Sequence, residues 1–169
     1  MDYREVLRRR RMVRDYSDEP LDRDVVERIL ASALRAPSAG FSQGWEFLAL
    51  TAPEDRERFW PFVPTSLGPA PGLRQAQLVV VPMADKHVYL ERYAEADKPW
   101  QDRAEEHWPV PYWHIDTGMA ALLMMLTAIG REARGIEFGR GSEPDAVRRG
   151  RFERGEAPSA SDVPSARGG

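Results

Sequence analysis

The chain contains no cysteine. Disulfides, thiolate nucleophiles and cysteine-ligated metals are therefore excluded, and a reducing cytoplasm is the compartment the composition fits. The histidines are few, and His87, His107 and His114 do not stand at the spacings that bind zinc, so no metal site is expected. Neither a GxGxxG dinucleotide fingerprint nor a P-loop is found. Long apolar runs are missing as well. The longest, Met119 to Leu126, is too short to span a bilayer. Met1 to Glu5 is charged and lacks the apolar core of a signal peptide. No internal repeat occurs, and neither sign of charge dominates. With 24 Lys and Arg against 27 Asp and Glu the formal net charge is -3, which argues against general nucleic-acid affinity. The 169 residues, 42% of them hydrophobic, suffice for one core but not for two.

Periodicity gives an α+β reading. A helix is expected over residues 2–13, with Tyr3, Val6, Leu7 and Val13 apolar among charges. Asp22 is expected to cap a second helix that runs to about Arg35 and stops before Pro37. A short aromatic strand follows over 45–51, then a helix from about 52 to 62 and a Pro/Gly-rich loop over 61–72. Residues 77–83 read as a buried strand that Pro82 ends or places at an edge. Surface helices are expected over 88–94 and roughly 99–107, then a rigid aromatic loop over 108–113. Asp116 is read as the cap of a helix over 117–129, apolar almost all round and so destined for a core or a subunit interface.

Two segments carry chemistry. The first is the run Arg8 to Arg11 with Val13-Arg14. Guanidinium groups bind a phosphate dianion through paired, charge-assisted hydrogen bonds. Taken alone, the run also fits a solvated helix C-terminus. The second is Ala36-Pro37-Ser38-Ala39-Gly40-Phe41-Ser42-Gln43-Gly44-Trp45, where small residues let backbone amides approach a planar polar ligand. Taken alone, it fits an ordinary helix-to-strand connection. Together they point to a phosphate-bearing aromatic cofactor held near the N-terminus. Trp108, Tyr112 and Trp113 line a substrate pocket, stack over the cofactor ring, or serve as packing or interface elements, and Tyr112 and Trp113 are kept as pocket candidates.

With both motifs in view, the chain resembles the nitroreductase family of FMN-dependent oxidoreductases over roughly residues 2–129. Arg10-Arg11-Met12-Val13-Arg14 matches its Arg-Arg-Ser-Val-Arg-like phosphate motif. Ala36 to Trp45 matches its Ala-Pro-Ser-x-x-Asn-x-Gln-Pro-Trp-like turn, and Asp116 to Leu123 resembles its long central helix. The resemblance implies a three-layer α/β/α fold with a mixed, mostly antiparallel sheet. It implies that Arg10, Arg11 and Arg14 contact the phosphate, ribityl chain or pyrimidine edge of FMN. Pro37, Ser38, Ala39 and Gly40 would pass close to the ring through backbone, and Phe41 to Gln43 would reach its polar edge. It further implies NADH or NADPH as reductant, a nitroaromatic, quinone or similar small-molecule acceptor, an intertwined homodimer with FMN at its interface, and no role for nucleic acid or membrane. Three positions depart from the pattern: Met12 stands for Ser, Phe41 for Asn and Gly44 for Pro.

The larger departure follows Gly130. Eight arginines and eight glycines fall in residues 130–169, and large apolar residues are too sparse there for a strand. One domain is expected over residues 1–139 and an atypical, disordered tail over 140–169, with the family's C-terminal strands missing. Only Phe138-Gly139 and Ala146-Val147-Arg148 match family fragments. Two origins stay open: true divergence, or a reading-frame slip, since one coding of Asp-Glu-Gly-Leu-Gly read one nucleotide out of frame gives Gly-Arg-Gly-Ala-Arg, close to Gly130-Arg131-Glu132-Ala133-Arg134. Besides the oxidoreductase, the alternatives are a flavin-binding or inactive relative and, from another class, a small nucleic-acid-binding module using Arg8 to Arg14.

Overall fold

A computed structural model describes residues 2–63 and 71–130. The first helix, α1 (Tyr3–Arg9), is capped by the Asp2 carboxylate, which accepts the Glu5 N–H at 2.8 Å. It ends four residues before the expected limit, and charge explains the stop. Glu5 bonds Arg8 at 2.7 Å and Arg9 at 2.6 Å, one turn ahead. Arg10 and Arg11 have only Val6 and Leu7 one turn behind, and a continued helix would bring Arg10 and Arg14 together as like charges. From Arg10 to Leu21 the chain has no regular element and is exposed up to Pro20.

The second helix, α2 (Arg23–Ser32), continues as a 3-10 turn over Ala33–Arg35 and stops before Pro37. Asp22 holds the N-cap position, but its side chain makes no capping bond; its backbone carbonyl accepts from Val25 and Val26 instead. Strand β1 (Trp45–Leu50) pairs antiparallel with β2 (Val79–Ala84), Trp45 opposite Ala84 and Leu50 opposite Val79. Between them, α3 (Pro53–Phe59) opens on a proline, where a missing N–H costs nothing. The buried Arg56 of α3 donates to the backbone carbonyls of Thr51 and Gln77 and to the Gln77 side chain, tying the end of β1 to the approach to β2. Strand β2 is half-buried rather than buried, and Pro82 sits inside it, paired with Phe47. Pro82 is tolerated there because β2 has one neighbour strand among the described residues.

Helix α4 (Lys86–Tyr93) starts at Asp85, whose carboxylate accepts the His87 N–H. The helix expected over 99–107 is absent but for a 3-10 turn at Glu105–His107. Asp102 bonds the Ala104 N–H and the His107 ring, and Arg103 adopts a positive φ of 56°, so local side-chain bonding displaces the helix. The last helix, α5 (Tyr112–Ile129), begins a full turn earlier than expected, at Pro111, and takes Tyr112 and Trp113 out of the aromatic loop. Asp116 therefore caps nothing; it lies within the helix, 2% exposed.

The core joins α2 (Ile29, Leu30), the following turn (Ala33, Ala36), β1 (Trp45, Phe47) and α5 (Ala120, Met124). One side of α5 stays open. Ile115, Leu122 and Met125 are exposed, and a Cβ on Gly118 would meet nothing within 4 Å. The fold is α+β, with an antiparallel sheet of two strands among the described residues. The tail over 140–169 and the fragments at 138–139 and 146–148 lie outside the described residues.

Candidate functional site

The structure divides the arginine run. Arg8 and Arg9 are held by Glu5, whose carboxyl is pulled down to about 2, first by the Arg8 hydrogen bond and then by that of Arg9. The side chains of Arg10, Arg11 and Arg14 make no hydrogen bond or ion pair among the described residues, and all three residues are exposed, as is Met12 between them. A backbone bond from Tyr16 N–H to the Gly72 carbonyl, 3.1 Å, fixes this segment further along. No hydrogen bond joins Arg10, Arg11 or Arg14 to the 38–43 turn among the described residues. Helix α1, which leads into the arginine segment, packs on α5, and the turn is tied to α5 by a hydrogen bond to Asp116.

Residues 38–43 form a strained, internally bonded turn. Gly40, Phe41 and Gln43 have φ of 60°, 56° and 51°. Glycine reaches that region freely; Phe and Gln do not, and such residues gather where a site is held in place by its surroundings. The bonds radiate from Ser38 and Ala39. Phe41 N–H donates to the Ser38 carbonyl, Gln43 N–H to Ser38 Oγ, and the Ser42 N–H and hydroxyl both donate to the Ala39 carbonyl. Ala39 N–H is spent on Asp116 Oδ2 at 2.8 Å, and the Gly40 carbonyl accepts from Arg92 Nε at 3.1 Å. Left without a partner among the described residues are the Ser38 and Gly40 N–H groups, the Phe41 and Ser42 carbonyls and the Gln43 side-chain amide. The turn thus offers donors and acceptors side by side. Pro37 is exposed, and the Phe41 ring is 75% exposed.

Behind the turn stands Tyr89, fully buried, its hydroxyl donating to Asp116 Oδ2 at 2.9 Å. Burial first, and then the Asp116 hydrogen bond and charge, push its pKa well above the ordinary tyrosine value, with the Gly44 amide acting weakly against them. Trp108 packs edge-on to Tyr89, Tyr93, Tyr112 and Trp113. Trp113 is 5% exposed, inside this packing, whereas Tyr112 is 37% exposed. Among the described residues no group of His, Asp and Glu is placed to hold a metal ion. No helix there is long and apolar enough to cross a membrane.

Asp116 and Tyr89 were not legible as site residues. The signal available was an acidic residue opening an apolar stretch, and it reads more simply as a cap.

The sequence model of the Nitroreductase family matches residues 7–138, more than half of the chain. The chain belongs to the nitroreductase family. Solved structures agree in fold. An FMN-dependent nitroreductase from Clostridium difficile is 25% identical, with 75% of this chain and 60% of that one covered at a TM-score of 0.52. A nitroreductase family protein from Clostridium novyi is 17% identical, with 78% and 65% covered and a TM-score of 0.58. A nitroreductase family protein from Streptococcus pneumoniae is 16% identical, with 77% and 72% covered and a TM-score of 0.60. The chain spans less than two thirds of the length of the two clostridial proteins.

Proposed function

We propose that the chain binds FMN between the Arg10–Arg14 segment and the 38–43 turn, and that it is an oxidoreductase. It passes electrons from NADH or NADPH to a nitroaromatic, quinone or similar small acceptor. The observation that carries this reading is the unspent chemistry of the two segments: three guanidinium groups with no partner among the described residues, and a left-handed turn with both donors and acceptors unused. The FMN phosphate is a dianion that Arg10, Arg11 and Arg14 neutralise. The polar edge of its ring carries alternating carbonyl and imide groups, which the Gly40 N–H, the Phe41 carbonyl and the Gln43 amide complement. The C. difficile relative, described as FMN-dependent, supports the same cofactor.

Bound FMN supplies the redox chemistry. The protein's part is to bind, orient and tune. The strained turn presents its polar groups without reorganisation, since Ala39, Gly40 and Gly44 are each fixed from behind. The positive charge of Arg14 offsets negative charge arriving at the site. Tyr89 is committed to Asp116 with its pKa raised, so it is no proton donor near neutral pH. Tyr112, half-open beside Trp108, borders the approach of an acceptor.

The proposal includes a homodimer in a reducing cytoplasm, with one domain through residue 139. The open stripe of α5, Ile115, Gly118, Leu122 and Met125, recurs at alternating steps of three and four, the spacing of a helix–helix seam. Gly118 leaves room for close approach. A second reading is FMN binding without turnover, which the same unspent groups of the two segments support. An absorption spectrum of purified full-length protein between about 350 and 500 nm, where oxidised flavin absorbs, separates the outcomes. Yellow protein bleached by NADH or NADPH is expected. Colour without bleaching supports the second reading, and protein that stays colourless with added FMN overturns both.

A further inference from the structure

We propose that Asp116 is the positioning residue of the cofactor turn: from within α5 its carboxylate holds the left-handed 38–43 backbone in the conformation that receives FMN. The inference rests on the flavin reading above. Asp116 is 2% exposed and has no cationic partner among the described residues. A carboxylate buried in this way is costly, and an apolar side chain would serve the core better. What it does have is two neutral donors on one oxygen: Ala39 N–H at 2.8 Å, 77 residues away in sequence, and the Tyr89 hydroxyl at 2.9 Å.

These two contacts bracket the turn. Ala39 is its head, and the bonds that close it are accepted by Ser38 and Ala39. Gly44 is its foot, and a Cβ there would stand 2.6 Å from the Tyr89 ring. Asp116 thus fixes the head directly and the foot through Tyr89. Between the two points lie Phe41 and Gln43, residues that do not adopt positive φ without support. An acceptor that consumes Ala39 N–H also leaves the Ser38 and Gly40 N–H groups as the turn's backbone donors without a partner among the described residues, so Asp116 decides which amides face the ligand.

Amide hydrogen exchange without FMN and FMN titration, on full-length wild type, Asp116→Leu, Asp116→Asn and Tyr89→Phe, test the proposal. Asp116→Leu is expected to speed exchange at Phe41, Ser42 and Gln43 by about tenfold or more while β1 is unchanged, and to weaken FMN binding by about tenfold, the scale of one lost charge-assisted hydrogen bond. Asp116→Asn keeps an acceptor oxygen and is expected to restore most of both. Tyr89→Phe keeps the Ala39 bond and is expected to shift both less than Asp116→Leu. If Asp116→Leu also opens β1, Asp116→Ser, too short to reach Ala39, takes its place with the same expectations. Turn exchange unchanged in the Leu or Ser variant overturns the proposal, as does faster turn exchange with FMN affinity intact. Wild type that takes up no FMN removes the flavin reading, while the exchange arm still decides whether Asp116 holds the turn.

Discussion

Replacing Gly44 by alanine tests how tightly the turn is packed. The Gly44 backbone is not left-handed, so the added methyl brings a steric cost and no torsional one. Its Cβ would stand 2.6 Å and 2.9 Å from two Tyr89 ring carbons and 2.7 Å from the Asp85 carbonyl oxygen. Carbon pairs rest at about 3.5–4.0 Å, so the overlap is close to an ångström on two sides. Neither neighbour has room to move. Tyr89 is fully buried with its hydroxyl on Asp116, and the Asp85 N–H is bonded to the Gly44 carbonyl at 2.9 Å. Overpacking of this kind costs about 1–3 kcal/mol, and the stiffer unfolded chain returns about 0.4–1 kcal/mol. A net loss of about 1–2 kcal/mol lowers Tm by roughly 2–8 °C in a chain of this size. Proline, the usual family residue here, also carries a Cβ and is expected to fit no better. Thermal unfolding and urea titration of Gly44→Ala measure the effect. Stability within about 0.5 kcal/mol of wild type refutes the packing argument.

Arg56→Met is expected to cost about 2–4 kcal/mol by urea titration, because the Thr51 and Gln77 carbonyls lose a buried donor; an unchanged midpoint contradicts this. Glu5, with its carboxyl at about 2 in the fold against an ordinary 4.5, adds stability that is present above pH 4.5 and is lost as pH falls toward 2. An NMR titration of the Glu5 carboxyl is expected to show its midpoint near 2, and a midpoint near 4.5 removes the Arg8 and Arg9 pairing. Leu122→Glu, on the open stripe of α5, is expected to convert a dimer to monomer in light scattering with the helical circular dichroism intact; a dimer that persists contradicts the seam.

Element types were largely legible because their signals are local. Pro37 ends the α2 segment, the Trp45 run gives β1, and Pro53 opens α3. The misreadings share a cause, in that a side chain found a partner the sequence pattern does not display, remote for Asp116 and local for Asp102 and Glu5. Asp116 looks like a cap until Ala39 and Tyr89 are seen to occupy it. The helix over 99–107 fails because Asp102 bonds Ala104 and His107. Arg8 and Arg9 read with Arg10 and Arg11 as one run, and only the reach of Glu5 along α1 divides them. Gly40 invites a left-handed turn on sequence grounds, but the same conformation at Phe41 and Gln43 depends on the Asp116 and Arg92 anchors, which no local pattern displays.

The central claim is that Arg10, Arg11 and Arg14 hold the FMN phosphate while Arg8 and Arg9 do not. Titration of full-length protein with FMN, followed by quenching of flavin fluorescence, measures it. Saturable uptake is expected, weakened roughly tenfold or more by Arg10→Ala or Arg14→Ala and nearly unchanged by Arg8→Ala. Absence of saturable uptake, or equal affinity across the three variants, contradicts the account.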